Sequence, residues 1–468
     1  MESALEAAVR ELKNALPDRT EDDAARLYPY SFDASHLARK EPRVPTCVVL
    51  PKTAEEVETV VRIAARHRVP LIPRGAGTAQ TAGALVVDGG VVVDLSAMDR
   101  ILEVDVDNLQ VVVEPGVIPE DLNRVLAPKG FFFPPDPGSV KMCTLGGMVA
   151  NNTSGMRAVK YGTTKNYVLG LEVVLADGTR IVTGGARSRA LKSVSGYDLT
   201  GLMVGSEGTL GIITRIRLKV IPIPESQGLI MATFSDVERA GRGVQGIFSA
   251  RMVPSAIEIM DSSALKAVSS YRPDLDIPQA EAMLLIEMDG LPGEVAAALD
   301  RASDVLKEWA DRVSYSQDPE ECANLWAARR ALRPASGRLA EGASLVSAGE
   351  DIGVPMARVP EALTSIHQVL RETGVMATVY GHVGDGNLHV ALLAFLEDED
   401  SVLRAEEAAD RLHLLALQLD GTTTAEHGVG VVRAGYMERE HGDALEVMRT
   451  IKKTLDPDGI MNPGKMGV

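Results

Sequence analysis

Apolar positions along this chain fall into helical and strand periods that alternate from end to end. Leu5, Val9, Leu12 and Leu16 recur at helical spacing and predict an amphipathic helix within residues 1–41, followed by an irregular lead-in. Val48-Val49-Leu50 reads as a short strand. Thr53-Ala54-Glu55-Glu56 has the capping-box form, and the helix it opens carries Val57, Val60, Val61 and Ala64 on one face. Leu71-Ile72-Pro73, Val91–Val93 and Val111–Val113 predict further strands. Alternation over residues 171–181, broken by Asp177-Gly178, predicts a hairpin, and Ile212 to Val220 alternates as a strand. Pro222 and Pro224 mark a boundary. Beyond them helices alternate with strands such as Met283–Glu287.

This pattern is a mixed α/β domain with many short strands, followed by a region in which helices alternate with strands, and 468 residues exceed what one growing core supports. The net charge of −17, from 48 basic and 65 acidic residues, argues against a nucleic-acid surface or an electrostatic anchor on anionic lipid. No apolar run approaches the ~20 residues that span a bilayer. The acidic N-terminus lacks the form of a signal peptide, so the expectation is a cytoplasmic protein, or one peripheral to a membrane through partners. Cys47, Cys143 and Cys322 are too few and too scattered for a disulfide framework or a four-cysteine cluster.

Two glycine-rich segments imitate nucleotide loops. Pro73-Arg74-Gly75-Ala76-Gly77-Thr78-Ala79-Gln80 has Gln80 where a Rossmann loop needs its third glycine. It retains the means to bind phosphate through accessible backbone N–H groups, or it is a plain connecting loop. Gly459–Met466 lacks the Ser/Thr of a P-loop, and Pro463 removes an N–H the cradle needs.

Histidine is scarce, eight in all, and three fall in Gly381-His382-Val383-Gly384-Asp385-Gly386-Asn387-Leu388-His389 and Ala425-Glu426-His427-Gly428. Gly384–Asn387 is built from turn residues, so His382 and His389 flank a tight turn and can converge. Imidazole and carboxylate are the ligands of zinc-like ions. The alternative is a glycine-rich loop with two hydrogen-bonded histidines. His36, His67, His367, His413 and His441 read as ordinary surface or helix residues.

Several segments together resemble a flavoprotein. They are the first loop, Pro134–Ser139 running into Cys143–Gly155, Tyr161-Gly162, and Gly205-Ser206-Glu207-Gly208-Thr209-Leu210-Gly211. Their order resembles the two-subdomain FAD-binding domain of the vanillyl-alcohol oxidase and p-cresol methylhydroxylase type. Gly381–His389, Ala425–Gly430 and Asp456–Lys465 resemble the FAD-linked oxidase cap of D-lactate dehydrogenases, the glycolate oxidase D-subunit and D-2-hydroxyglutarate dehydrogenase. The resemblance covers about residues 42–468. It implies an α+β protein with an FAD-binding domain at 42–222 and, at 223–468, a cap domain with an antiparallel, ferredoxin-like sheet, whose tail at 455–468 returns to the flavin.

The same resemblance implies roles. Arg74, Gly75, Ala76, Gly77 and Thr78 would wrap the FAD pyrophosphate. Pro135, Gly138, Ser139, Thr144, Gly146, Gly147, Asn151 and Ser154 would line the flavin and ribityl chain. Glu207, Gly211 and Ile212 would approach the adenosine, and Asn462 the flavin region. His382, His389 and Glu426 resemble ligands of a divalent ion (zinc, iron or manganese). His427 resembles the general base, its rival roles being a further ligand or a partner orienting Glu426. Arg329 resembles the residue that grips the substrate carboxylate, with Arg330 and Arg333 as neighbouring candidates.

The sequence departs from relatives at Ala79 and Ala82, which replace glycines. It departs again at Ala391 and at Gly349-Glu350-Asp351, which lack the asparagine and lysine of hydroxyglutarate-specific members. No histidine or cysteine occupies a flavin-linking position, so FAD is expected to be non-covalent. The implied reaction is oxidation of a D-2-hydroxy acid, lactate or glycolate, with electrons passing to a separate acceptor: an electron-transferring flavoprotein, a quinone or an iron–sulfur subunit. A homodimer or a subunit of a complex is expected. Alternatives are a flavin subunit serving mainly electron transfer, and a metal-independent flavin oxidase of alcohols or sugars.

Overall fold

The computed structural model describes residues 3–40, 42–346 and 350–468. The chain forms two compact units. The first comprises residues 1–153, 163–223 and 427–468; the second comprises 154–162 and 224–426. The polypeptide therefore passes between them four times.

In the first unit, a four-stranded sheet runs in the order Thr20–Glu21, Cys47–Val49, Val91–Asp94, Leu71–Arg74. The last three strands are parallel. Cys47–Val49 and Leu71–Arg74 are joined by the helix Ala54–His67, whose Val57, Val60, Val61 and Ala64 are buried. Thr53 caps that helix by accepting from Glu56 N–H, but the Glu56 carboxylate closes on the Lys52 N–H, so the expected box is only half formed. The complete capping box lies at the other predicted helix, Ala4–Ala15, between Ser3 and Glu6. A second, antiparallel sheet of five strands is ordered Ile101–Asp105, Gln110–Val113, Ile212–Lys219, Val168–Val174, Arg180–Val182. Its last two strands form the hairpin predicted at Asp177-Gly178, where Gly178 takes φ +80°. The residues at 427–468 belong to this unit; Met461 bridges to Leu71 beside the parallel strand.

The second unit is built on one antiparallel sheet. Its strands run Arg312–Ser316, Ser226–Phe234, Ala282–Gly290, Ala256–Asp261, Met376–Gly381, Asn387–Ala394, Ser344–Leu345, and Glu350–Gly353 also pairs with Asn387–Ala394. Helices cover both faces, which is why its central strands read as nearly continuous apolar runs. Odd and even positions separate into two cores. Ile257, Ile259, Leu284 and Ile286 face the core that includes residues of the helices Val237–Ser249, Pro292–Leu306, Val359–Thr373 and Glu399–Gln418. Ala256, Met260, Met283, Leu285, Tyr380 and Ala391 face the other, with residues of Ser262–Tyr271 and Pro319–Arg330. Side chains two apart on a strand share a face, so Glu258, Glu287 and His389 point to this second core.

Candidate functional site

Several buried charged groups of the second unit, Glu258, Glu287 and His389 among them, lie on that face. Strand Met376–Gly381 turns through 382–386 into Asn387–Ala394, as the glycine-rich turn predicts. Gly381 and Gly386 take positive φ, and a Cβ at Gly386 would collide with Val354 O. The turn brings the His382 and His389 rings to 5.1 Å between centroids, nearly perpendicular. Both Nε2 atoms face one carboxylate: His382 Nε2 lies 3.6 Å from Glu426 Oε2, and His389 Nε2 3.4 Å from Glu426 Oε1.

Supporting groups fix each member. Glu258 is fully buried, and its Oε1 lies 2.6 Å from His382 Nδ1. Its Oε2 accepts from Arg329 Nε, and the Arg329 guanidinium stands 5.0 Å over the Tyr380 ring. Asp351, also fully buried, accepts through Oδ2 from Thr424 Oγ1 at 2.8 Å, Ala425 N–H at 3.1 Å and Glu426 N–H at 2.9 Å. Ser154 Oγ donates to Glu426 Oε2 at 3.1 Å. Ser154 and Glu426 are both residues at which the chain leaves or enters this unit. The short segment 154–162 is tied to the strand Ala282–Gly290. Arg157 forms a fork on Glu287 at 2.7 and 2.9 Å, and Lys160 and Tyr161 both bond Asp289.

Burial opposes charge on His382, but Glu258 and Glu426 outweigh it and hold its pKa well above the usual imidazole range. Asp385 in the turn is pushed up to about 6 by burial, with His382 pulling the other way.

Only part of this donor set falls in a group whose geometry could hold a cation, and His382 stands outside it. Ligand atoms of Asp351, His389 and Glu426 lie within 4.8 Å of one another. The two Nε2–carboxylate separations exceed good hydrogen bonds but match the roughly 3.3 Å between ligand atoms of a tetrahedral ion with bonds near ~2.0 Å.

Of the three arginines weighed from the sequence, only Arg329 is buried; Arg330 and Arg333 are exposed. Arg329 gives Glu258 a single N–H, and its Nη groups donate to no other described residue. His427 is half-buried, opens the last segment of the first unit, and is joined to Glu426 by the peptide bond. Gly349 lies outside the described residues.

In the first unit the glycine loops converge around Glu207. Its carboxylate accepts from Val429 N–H at 2.6 Å and Gly430 N–H at 2.8 Å, while burial pushes its pKa up. Asn462 donates to Gly83 O and Glu207 O, and Lys465 to Leu85 O. Thus Glu207 and Asn462 spend these groups on holding loops together. Arg74 folds over its own loop and donates to Phe32 O and Ala84 O. Gly211 packs on Val173 and Val174, and Ile212 lies in the core. Thr144 caps the helix Leu145–Asn151, which places Gly146 against Pro115 and Gly147 on the first turn. Pro135 is buried; Gly138 is exposed and Ser139 half-buried. Ser154 falls in the other unit.

This unit fits a dinucleotide. The backbone N–H groups of Gly75, Ala76, Gly77 and Thr78 donate to no described residue, and all four residues keep some exposure. Thr81 Oγ1 and Asn462 Oδ1 are buried with no hydrogen-bond partner among the described residues. Such N–H runs and orphaned buried polar atoms suit a ligand rich in phosphate and polar ring edges.

Comparison with known proteins agrees. Residues 45–184 match the FAD binding domain family, and residues 223–466 match the family described as FAD linked oxidases, C-terminal domain. The chain belongs to the FAD-linked oxidase family and is an FAD-linked oxidoreductase. Glycolate oxidase subunit GlcD of Bacillus subtilis is 37% identical over 96% of this chain and 94% of its own. The probable mitochondrial D-lactate dehydrogenase of Danio rerio is 35% identical over 91% and 84%. The structure of p-cresol methylhydroxylase with substrate bound superposes with a TM-score of 0.81 over 99% of this chain and 97% of that one, at 19% identity. That last likeness shows the fold.

Glu258 and Asp351 were missed as site residues from the sequence. The available signal was a carboxylate inside an apolar strand, Ala256-Ile257-Glu258-Ile259-Met260, since charged groups are rarely buried unless paired.

Proposed function

We propose that this protein oxidises a small D-2-hydroxy acid, lactate or glycolate, to the 2-oxo acid and passes the electrons to a separate acceptor. The observation that carries the reading is Arg329. It is buried and pinned along one edge by Glu258, with Nη groups that donate to none of the described residues, in the unit that converges two histidines on Glu426. A guanidinium fork pairs bidentately with a planar carboxylate. That fixes one end of a 2-hydroxy acid and leaves its hydroxyl for the histidine cluster.

His382, His389 and Glu426 would hold a divalent cation, which supplies Lewis acidity that lowers the pKa of a bound hydroxyl. FAD, held by Gly75–Thr78 and the loops tied to Glu207 and Asn462, supplies the hydride acceptor. His427 takes the hydroxyl proton; imidazole titrates near ~6.5 and exchanges protons readily near neutrality. Ser154 and Asp351 keep Glu426 oriented through its carboxylate and its N–H.

The Bacillus relative is named as a subunit, which supports an acceptor on another protein and placement in a complex. No described helix is long and apolar enough to cross a membrane. Anaerobic addition of D-lactate, glycolate, D-2-hydroxybutyrate or D-2-hydroxyglutarate to the flavin-loaded protein tests the reading. Bleaching by lactate or glycolate, slowed by chelators, is expected. A flavin that none of the four bleaches refutes it.

A further inference from the structure

The roles above leave unexplained why one fully buried carboxylate, Glu258, serves both Arg329 and His382. It sits in the middle of an apolar strand, where an uncompensated carboxylate is costly. Its compensation is divided. One oxygen meets Arg329 Nε and the other His382 Nδ1 at 2.6 Å. An arginine paired for stability alone tends to offer two parallel N–H groups to both oxygens of a carboxylate. Arg157 does so on Glu287 elsewhere in the same unit.

We infer that Glu258 is a positioning residue that sets His382 and Arg329 together, so that the cation site and the carboxylate grip are built on one side chain. This rests on the proposed function. A neutral imidazole has one N–H and one lone pair. A carboxylate only accepts, so Glu258 keeps a proton on Nδ1, and a cation that displaces the other proton would find the Nε2 lone pair on the side of Glu426. The other oxygen fixes the edge of the guanidinium, and the Tyr380 ring fixes its plane. The carboxylate grip and the cation site are then both referred to one carboxylate on the central strand Ala256–Asp261. Asp351 serves the other histidine differently. Its Oδ1 is 3.8 Å from His389 Nδ1, and its Oδ2 is engaged by the Thr424–Glu426 backbone and hydroxyl.

The test uses the flavin-loaded full chain, stripped of metal and titrated with Zn2+ against a chromophoric chelator, alongside steady-state oxidation of D-lactate. Glu258→Gln is expected to weaken Zn2+ binding about ten- to a hundred-fold and to raise KM for D-lactate, with an unchanged flavin spectrum. Glu258→Asp, which keeps the charge, should recover part of both. Unchanged Zn2+ affinity in flavin-loaded Glu258→Gln overturns the inference, whether or not KM moves. Wild-type protein that binds no Zn2+ refutes the cation reading itself and this inference with it, so the two failures are distinct. Should Glu258→Gln not fold, 15N-histidine NMR of the zinc-loaded wild type decides. Nδ1–H with metallated Nε2 on His382 supports the inference; the opposite tautomer overturns it.

Discussion

The two units build their sites from opposite materials. In the first, glycine loops offer backbone N–H groups, and the polar side chains nearby, Glu207, Asn462 and Lys465, are spent on other loops. In the second, the backbone is a regular antiparallel ladder and the chemistry lies in side chains held by buried carboxylates. One site is specified by shape and the other by charge. They should therefore fail in different ways when altered.

The largest effect expected is from His382→Ala or His389→Ala. Flavin reduction by the hydroxy acid should fall about 10³-fold or more, within the range for lost metal and acid–base assistance, while bound FAD per chain stays constant. Loss of FAD from these variants would erase the contrast between the units. Arg329→Met should cost about 10²-fold in kcat/KM, mainly through KM, because the lost contact holds the ground-state carboxylate as well. A fall confined to kcat would remove the gripping role.

Gly430→Ala probes the other side. Gly430 sits at φ +51°, and a Cβ there would strike Thr81 O. The strain, about 1–3 kcal/mol, should weaken FAD binding by roughly tenfold or more, and kcat per bound flavin should be preserved. A variant with full flavin and slow turnover would contradict that assignment.

The smallest effect concerns Asp261, whose carboxyl is pushed up to about 7 by burial. Its folded pKa exceeds the ordinary 3.8, so its contribution to stability is full below about pH 4 and lost as pH rises through about 7. Oδ1 accepts from both Ala264 N–H and Val379 N–H, bonds that asparagine can keep. Asp261→Asn should gain thermal stability over the parent at pH 8 but not at pH 4. An equal difference at both pH values would show that Asp261 titrates normally.

Much of this was legible in the sequence because glycine, proline and histidine mark backbone geometry and ligand chemistry directly. The turn at Gly384–Asn387, the hairpin at Asp177-Gly178 and the converging His382 and His389 follow from residue type and spacing. Glu258 did not, because its partners Arg329 and His382 lie 71 and 124 residues away, one brought in by a helix packed on the sheet and the other by strand pairing. Glu56 shows the same limit at short range. Its motif predicts a bond to Thr53, and the carboxylate turned one residue further, to Lys52.

The ties of Asn462 and Lys465 to Gly83 and Leu85 set an order of assembly. Asn462 and Gly83 lie 379 positions apart in the chain. A ribosome releases the first glycine loop long before it makes the residues that clasp it. The second unit can complete its sheet during that interval, since all its strands precede residue 395. The flavin-binding unit closes last, and early addition of FAD to a translating chain should not hasten its folding.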